Sequence, residues 1–80
     1  MITQENVDEL EACTQELRKV HDGLRLATSL VASDPSPAAD LKYTNLLLAA
    51  VQAGKDYDES FNLYTDTAQQ YGYQEEKDPQ

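Results

Sequence analysis

Residues 33–37 read Ser-Asp-Pro-Ser-Pro, and this stretch separates two long helical patterns. A residue that precedes proline avoids helical backbone angles, so Asp34 and Ser36 favour a break in the helix. Ser36 also offers a capping hydroxyl, and Pro37 suits the first position of a new helix. The stretch therefore predicts one helix that ends near residue 32 and a second that begins near residue 37.

Each side of this stretch has an apolar residue at every third or fourth position, the spacing that places residues along one side of an α-helix. The first stripe consists of Leu10, Cys13, Leu17, Val20, Leu24, Ala27 and Val31. The second consists of Tyr43, Leu47, Ala50, Gly54, Tyr57, Phe61, Tyr64, Ala68 and Tyr71. The pattern predicts an all-α fold, an antiparallel helical hairpin with helices at about 4–32 and about 37–72. The hairpin domain would span residues 1–73, and residues 74–80 would form a disordered acidic tail.

A reversal of the chain at Asp34-Pro35 also predicts a register for the two stripes. It places Ala27 opposite Tyr43, Leu24 opposite Leu47, Val20 opposite Ala50, Leu17 opposite Gly54 and Cys13 opposite Tyr57. Several of these pairs set a large side chain against a small one, as in the close packing of a coiled coil. The second helix is either continuous or kinked or broken near Gly54, because Gly54 and the capping pattern from Asp56 to Glu59 can end one helix and begin another.

Several apolar residues lie outside the two stripes, in the half of the hairpin near the loop. They either complete an intramolecular core or form an exposed patch that docks a helix of another chain or a second copy, giving a four-helix bundle. Two tyrosines of the second stripe either belong to the core or extend, with Tyr73, past the first helix as a contact surface. The predicted partner-binding residues are thus Leu26, Leu30, Leu41, Leu46, Leu48, Val51, Tyr64 and Tyr71.

The composition narrows the class of partner. Fifteen acidic residues against six basic ones give a formal charge of −9, which argues against direct binding to nucleic acid or to anionic membranes. The acidic surface either keeps the protein soluble or binds a basic partner. One cysteine, a polar N-terminus and no apolar run of roughly 20 residues predict a cytoplasmic protein. We expect a homodimer or a heterodimer with another helical protein.

The chain lacks the residue sets that carry catalysis or bind cofactors. His21 is the only histidine, and Cys13 fits a small core residue rather than a nucleophile. The acidic run that includes Asp56, Asp58 and Glu59 has neither the glycine nor the ligand spacing of a calcium loop. We therefore expect no enzyme activity, no metal site and no cofactor.

The loop and the leucine-rich helix together resemble a known family. Asp34-Pro35 followed by residues 43–51, Tyr-Thr-Asn-Leu-Leu-Leu-Ala-Ala-Val, is similar to the second helix of the small co-chaperones of type III secretion needle subunits. The resemblance implies a cytoplasmic hairpin that pairs with a tetratricopeptide-like chaperone and keeps the needle subunit from polymerising. It also implies that Leu46, Leu48 and Val51 contact that chaperone.

Two functions follow from the sequence as expectations. The first is a non-enzymatic protein-binding module, a co-chaperone or adaptor, that uses the leucines near the loop. The alternative is an acidic phage-type inhibitor that blocks a basic or nucleic-acid-binding surface of a host protein, with affinity that falls steeply as salt is added.

Overall fold

The structure, a computed structural model, describes residues 1–76 as two long helices joined by a short linker. Helix α1 spans Gln4–Ala32 and helix α2 spans Pro37–Glu76. They pack antiparallel into a rod with Cα extents of 67 × 14 × 14 Å, which confirms the predicted all-α hairpin. Helix α2 ends four residues beyond the predicted end at residue 72, so the first part of the predicted tail is helical. Residues 77–80 of that tail lie outside the described residues.

Local hydrogen bonds explain where the helices begin and end. The Thr3 hydroxyl accepts a bond from the Asn6 backbone N–H at 3.1 Å, and the Asn6 side chain accepts one from the Thr3 backbone N–H at 3.1 Å. This capping box satisfies two donors that a helix N-terminus leaves without partners. In the linker, the Asp34 carboxylate accepts a bond from the Ser36 N–H at 2.9 Å. Pro37 then opens α2 as the sequence predicted.

Helix α2 runs through Gly54 without a break, so the alternative of a third helix is wrong. A Cβ atom placed on Gly54 would lie 3.3 Å from Nε2 of His21, closer than an ordinary van der Waals contact. The glycine therefore lets the two helices approach each other at the position where the imidazole ring of α1 lies between them.

The residues that face the other helix, here called the seam, differ from the predicted stripes at alternate positions. On α1 the seam holds Val7, Leu10, Thr14, Leu17, His21, Leu24, Thr28 and Val31. On α2 it holds Ala39, Leu46, Ala50, Ala53, Tyr57, Ser60, Tyr64, Thr67, Tyr71 and Gln74. The predicted core positions Cys13 and Val20 are exposed, as are Leu47 and Phe61. At every second seam position, the residue that faces the other helix is the sequence neighbour of the predicted one. The neighbour follows the predicted residue on α1 and precedes it on α2.

The register is also shifted from the prediction. The hydroxyls of Thr14 and Ser60 are 2.6 Å apart. The Gln74 side chain donates to the Ile2 carbonyl at 2.7 Å and accepts from the Ile2 N–H at 3.3 Å. These contacts place α2 about one helical turn away from the predicted pairing, in which Cys13 faced Tyr57. The prediction assumed a reversal centred on Asp34-Pro35, whereas the midpoints of the observed pairs, 14 with 60 and 2 with 74, fall at residues 37 and 38.

The core between the helices is small and partly polar. Its buried residues are Val7, Thr14, Thr28, Ala39, Ala50 and Ala53. The two threonine hydroxyls donate to the carbonyls of Leu10 and Leu24, at 2.8 and 2.7 Å, so their burial leaves no donor without a partner. The buried alanines of α2, Ala39, Ala50 and Ala53, are small and let the two backbones approach closely. The consequence is that most of the large apolar side chains lie outside this core.

The hairpin is far more extended than a compact chain of its length. Its radius of gyration is 18.4 Å, against about 12 Å for a compact 80-residue domain. Its accessible surface is 6082 Å², against about 4,800 Å² for a compact monomer of its mass. Because many large apolar side chains are also exposed, this extended shape leaves apolar surface available for contact with another molecule.

Candidate partner-binding surface

Four large apolar residues on the outer side of α2 form one continuous strip. Leu41 and Leu48 are 69% and 64% exposed, and Val51 is 51% exposed. Leu47 lies between them at 43%. Their spacing along the helix places all four on one side of α2, turned away from the seam. We call Leu41, Leu47, Leu48 and Val51 the Leu48 surface.

A second apolar strip lies on α1. Val20 and Leu30 are exposed, Gly23 is exposed between them, and Ala27 is half-buried. A Cβ atom placed on Gly23 would meet no other atom within 4 Å, so the space above this glycine is open. Leu26, also exposed, borders the strip on the outer edge of α1.

The two strips lie on opposite faces of the hairpin. Arg25 and Ser29 of α1 line the same hollow as Leu47 and Ala50 of α2, so this face combines a polar side of α1 with the apolar side of α2. On the opposite face, the apolar strip of α1 lies beside the α2 residues that flank the seam on that side. We call this opposite face the Gly23 face; it carries Val20, Gly23, Ala27 and Leu30 of α1 and Lys42, Ala49 and Asp56 of α2.

The predicted partner-binding residues fall into two groups in the structure. Leu26, Leu30, Leu41, Leu48 and Val51 are exposed, so each can contact another molecule. The prediction that Leu46 lies outside the helix interface is wrong, because it is half-buried in the seam, one position before Leu47. The leucine run 46–48 contains three candidates for one seam position, and the sequence favoured Leu47.

The two predicted tyrosines also lie in the seam. Tyr64 and Tyr71 are half-buried alongside α1, so the interpretation that they extend past the end of α1 is wrong. A hydrogen bond to the Glu75 carboxylate, together with partial desolvation and the negative charges of Glu75 and Asp8, raises the pKa of the Tyr71 phenol. Tyr73 is exposed on the other side of α2.

Sequence reasoning placed Val20, Leu47 and Phe61 in the hairpin core, whereas the structure leaves them exposed. For Val20, one signal that could have indicated its exposure is the recurrence of Val7, Thr14, His21 and Thr28 at intervals of seven. With the leucines of α1, this set makes a complete seam that leaves Val20 outside.

Charge divides the rod into two unlike parts. Residues 17–55, here called the loop half, hold five of the six basic residues and three acidic ones, a net charge of +2. The formal charge of the whole chain is −9, so the remaining residues, 1–16 and 56–80, carry a net charge of −11. Both apolar strips lie within the loop half, so the surface richest in exposed leucine is also the one without excess negative charge.

Within residues 1–76, no three His, Cys, Asp or Glu side chains come together as metal ligands would. Cys13 is exposed on α1, whereas His21 is half-buried between the helices with its Nδ1 3.9 Å from the Asp22 carboxylate. The cysteine and the histidine are eight residues apart on α1, about 12 Å along the helix, so their side chains do not share a hydrogen bond. Neither described helix is long and apolar enough to cross a bilayer.

In comparisons with protein families, curated proteins and solved structures, the chain has no significant match.

Proposed function

We propose that this chain is a non-enzymatic protein-binding module that pairs with another helical protein through the Leu48 surface. The observation that supports it is the exposure of Leu41, Leu48 and Val51 on one side of a helix whose own hairpin cannot cover them. Such a strip accepts an amphipathic helix, which contributes apolar residues at the same three- and four-residue spacing. A co-chaperone or adaptor of the kind that the resemblance implies would act in this way.

Burial of these side chains supplies the free energy of pairing. Full burial of a leucine or valine side chain is worth about 1.5–3 kcal/mol. Leu41, Leu48 and Val51 are each at least half exposed, so half or more of this free energy is still to be gained when a partner covers them. A partner helix that covers all three would gain several kcal/mol before the entropy cost of association. Because the loop half carries little net charge, this affinity should depend only weakly on salt.

Site-specific photocrosslinking tests the proposal. A benzophenone amino acid at position 48 should crosslink to one discrete protein in cells that naturally express the chain. The same amino acid at position 69 should not, because Gln69 lies on the same side of α2 but three heptads away, outside the strip. The crosslinked protein is then purified, and its affinity for the hairpin is measured directly.

Matched charge substitutions complete the test. Leu48→Asp should weaken the purified complex by roughly 100-fold, because a carboxylate would be buried without a partner. Gln69→Asp adds the same charge on the same side of the helix and should leave the affinity within about twofold. Equal affinity for the wild type and Leu48→Asp would refute the proposed surface.

The charge distribution favours a second candidate, the acidic inhibitor. The −11 charge outside the loop half could bind a basic surface of a target protein. In that case the affinity should fall at least tenfold between about 50 and 200 mM salt, and Leu48→Asp should have little effect. The salt series on the crosslinked partner therefore separates the two functions.

A further inference from the structure

The Gly23 face has a pattern that matches itself when reversed. Val20, Gly23, Ala27 and Leu30 are spaced three, four and three residues apart, an order that reads the same in both directions. A two-fold axis at Arg25 would set Val20 of one copy against Leu30 of the other, and Gly23 against Ala27. The large residues meet at the ends, and the small ones let the two α1 helices approach at the centre. No charged residue interrupts this strip.

The α2 half of the same face has an independent self-complementary pattern. Lys42, Ala49 and Asp56 follow one another at intervals of seven, so they lie on one side of α2 with the alanine at the centre. Reversal about Ala49 sets Lys42 of one copy against Asp56 of the other, twice by symmetry. The Asp56 carboxylate, which accepts a bond from Gln52 at 3.0 Å, retains a second oxygen for the lysine.

The observed register makes these two patterns coincide. The Thr14–Ser60 contact pairs positions whose numbers total 74, which places Arg25 of α1 level with Ala49 of α2. The two-fold axis required by the apolar strip is therefore the same axis required by the Lys42–Asp56 pairs. One symmetry operation satisfies both helices at once.

Charge and area agree with this arrangement. An antiparallel pair centred on Arg25 overlaps the loop halves, and the strongly acidic ends of the two copies point in opposite directions, where their repulsion is small. The loop half is 39 of the 80 residues, so in a rod of even width it would hold about half of the 6082 Å² of accessible surface. Covering roughly a quarter of that half would bury about 800 Å² per copy, the size of a stable protein interface.

We propose that the occupant of the Gly23 face is a second copy of this chain, packed antiparallel so that α1 lies on α1 and Lys42 pairs with Asp56 of the second copy. The dimer leaves the two Leu48 surfaces on the outside. It therefore presents two equivalent sites for the partner helix. The residues of the Gly23 face are not those of the Leu48 surface, so either proposal can fail without the other.

Two glycines provide the first test, by analytical ultracentrifugation of the full chain over a range of concentrations. Gly23 and Gly72 are both exposed helical glycines with no atom within 4 Å of an added Cβ, so glutamine at either one raises helix propensity equally. Gly23→Gln should raise the dimer dissociation constant at least tenfold while helicity is kept, and Gly72→Gln should leave it unchanged. Equal effects, or a wild-type chain that stays monomeric at 1 mM, would overturn the proposal.

Charge reversal tests the pairing itself. Lys42→Asp and Asp56→Lys should each weaken the dimer at least fivefold at low salt, and the double variant should restore it to within about twofold. If the double variant lost as much dimer affinity as the two single variants combined, the Lys42–Asp56 contact would be overturned. Leu48→Asp serves as the control that separates the two proposals, because it should leave the dimer intact.

Orientation is measured with a spin label on Cys13, which is exposed and is the only cysteine. Cys13 lies 12 positions from Arg25, so with a rise of 1.5 Å per residue the two labels should be about 36 Å apart along the rod. A distance below about 20 Å would indicate a parallel dimer and would contradict the proposed axis.

Discussion

The contact between Thr14 and Ser60 distinguishes the observed register from the one that the apolar pattern favours. Thr14 is 4% exposed. Its hydroxyl donates to the Leu10 carbonyl at 2.8 Å, so in the 2.6 Å contact with Ser60 it is the serine that donates. Thr14→Val keeps the shape of the side chain, removes the acceptor and leaves the serine hydroxyl without its partner.

We expect Thr14→Val to lower the free energy of unfolding by about 1–2 kcal/mol, since a partly buried donor loses its bond. Ser60→Ala should cost less, about 0.5–1 kcal/mol, because Thr14 keeps its bond to Leu10. The double variant replaces both hydroxyls by apolar groups and should recover most of the loss. For a chain of this length, 1 kcal/mol corresponds to a shift of about 4–8 °C in the melting temperature.

The assay is urea unfolding followed by circular dichroism at 222 nm, at one fixed protein concentration because the proposed dimer would contribute to the stability. Cys13→Ser is the matched control: the residue is adjacent but exposed, so the change should stay within about 0.5 kcal/mol. If Cys13→Ser proved costly and Thr14→Val did not, the seam would be the predicted one and the observed register would be refuted. A coupling energy near zero between positions 14 and 60 would refute their contact.

Three further predictions concern single side chains. Leu46→Asp should unfold the hairpin because Leu46 lies in the seam, whereas Leu48→Asp should retain its helical circular dichroism; similar loss in both would place Leu48 in the core. Tyr71 should titrate above the ordinary tyrosine pKa in an NMR pH series because the Glu75 carboxylate favours the protonated phenol, and Glu75→Gln should bring the pKa down. Stabilisation by Tyr71 should therefore be complete below pH 10 and be lost as pH rises through the higher folded pKa. Thr3→Ala removes the cap of α1 and should cost about 1 kcal/mol in urea unfolding; no loss would show that the first turn is already frayed.

The helix boundaries near the loop were predictable because they depend on local chemistry. Pro35 and Pro37 restrict the backbone wherever they occur, so α1 ends and α2 begins where the sequence indicated. The far end of α2 was not predictable in the same way. The prediction ended this helix at about residue 72, but the bonds between Gln74 and Ile2 are long-range contacts that hold the helix for another turn.

Which side of each helix faces the other helix depends on the contacts that the second helix provides, and the pattern of one helix does not show these contacts. An apolar count favours Cys13 and Val20 over Thr14 and His21 for the seam of α1. The structure prefers the latter pair because the threonine hydroxyl is satisfied by its own helix and because Gly54 of α2 leaves space for the imidazole ring. Buried polar side chains cost little where such partners exist, and the sequence does not show which partners the other helix brings.

This preference also explains why the candidate surface was only partly predicted. A periodic apolar stripe indicates that a residue is buried, but it does not say whether the neighbour belongs to the same chain. Val20 and Ala27 were placed in the hairpin core because their spacing fits a buried stripe, and in the proposed dimer they are buried against a second copy. If the proposed dimer forms, a hairpin with a small, partly polar core and large apolar residues on its outer surfaces would gain much of its stability from association. The helicity of the isolated chain should therefore rise with protein concentration in step with dimer formation, and a helix content independent of concentration would show that the hairpin is stable alone.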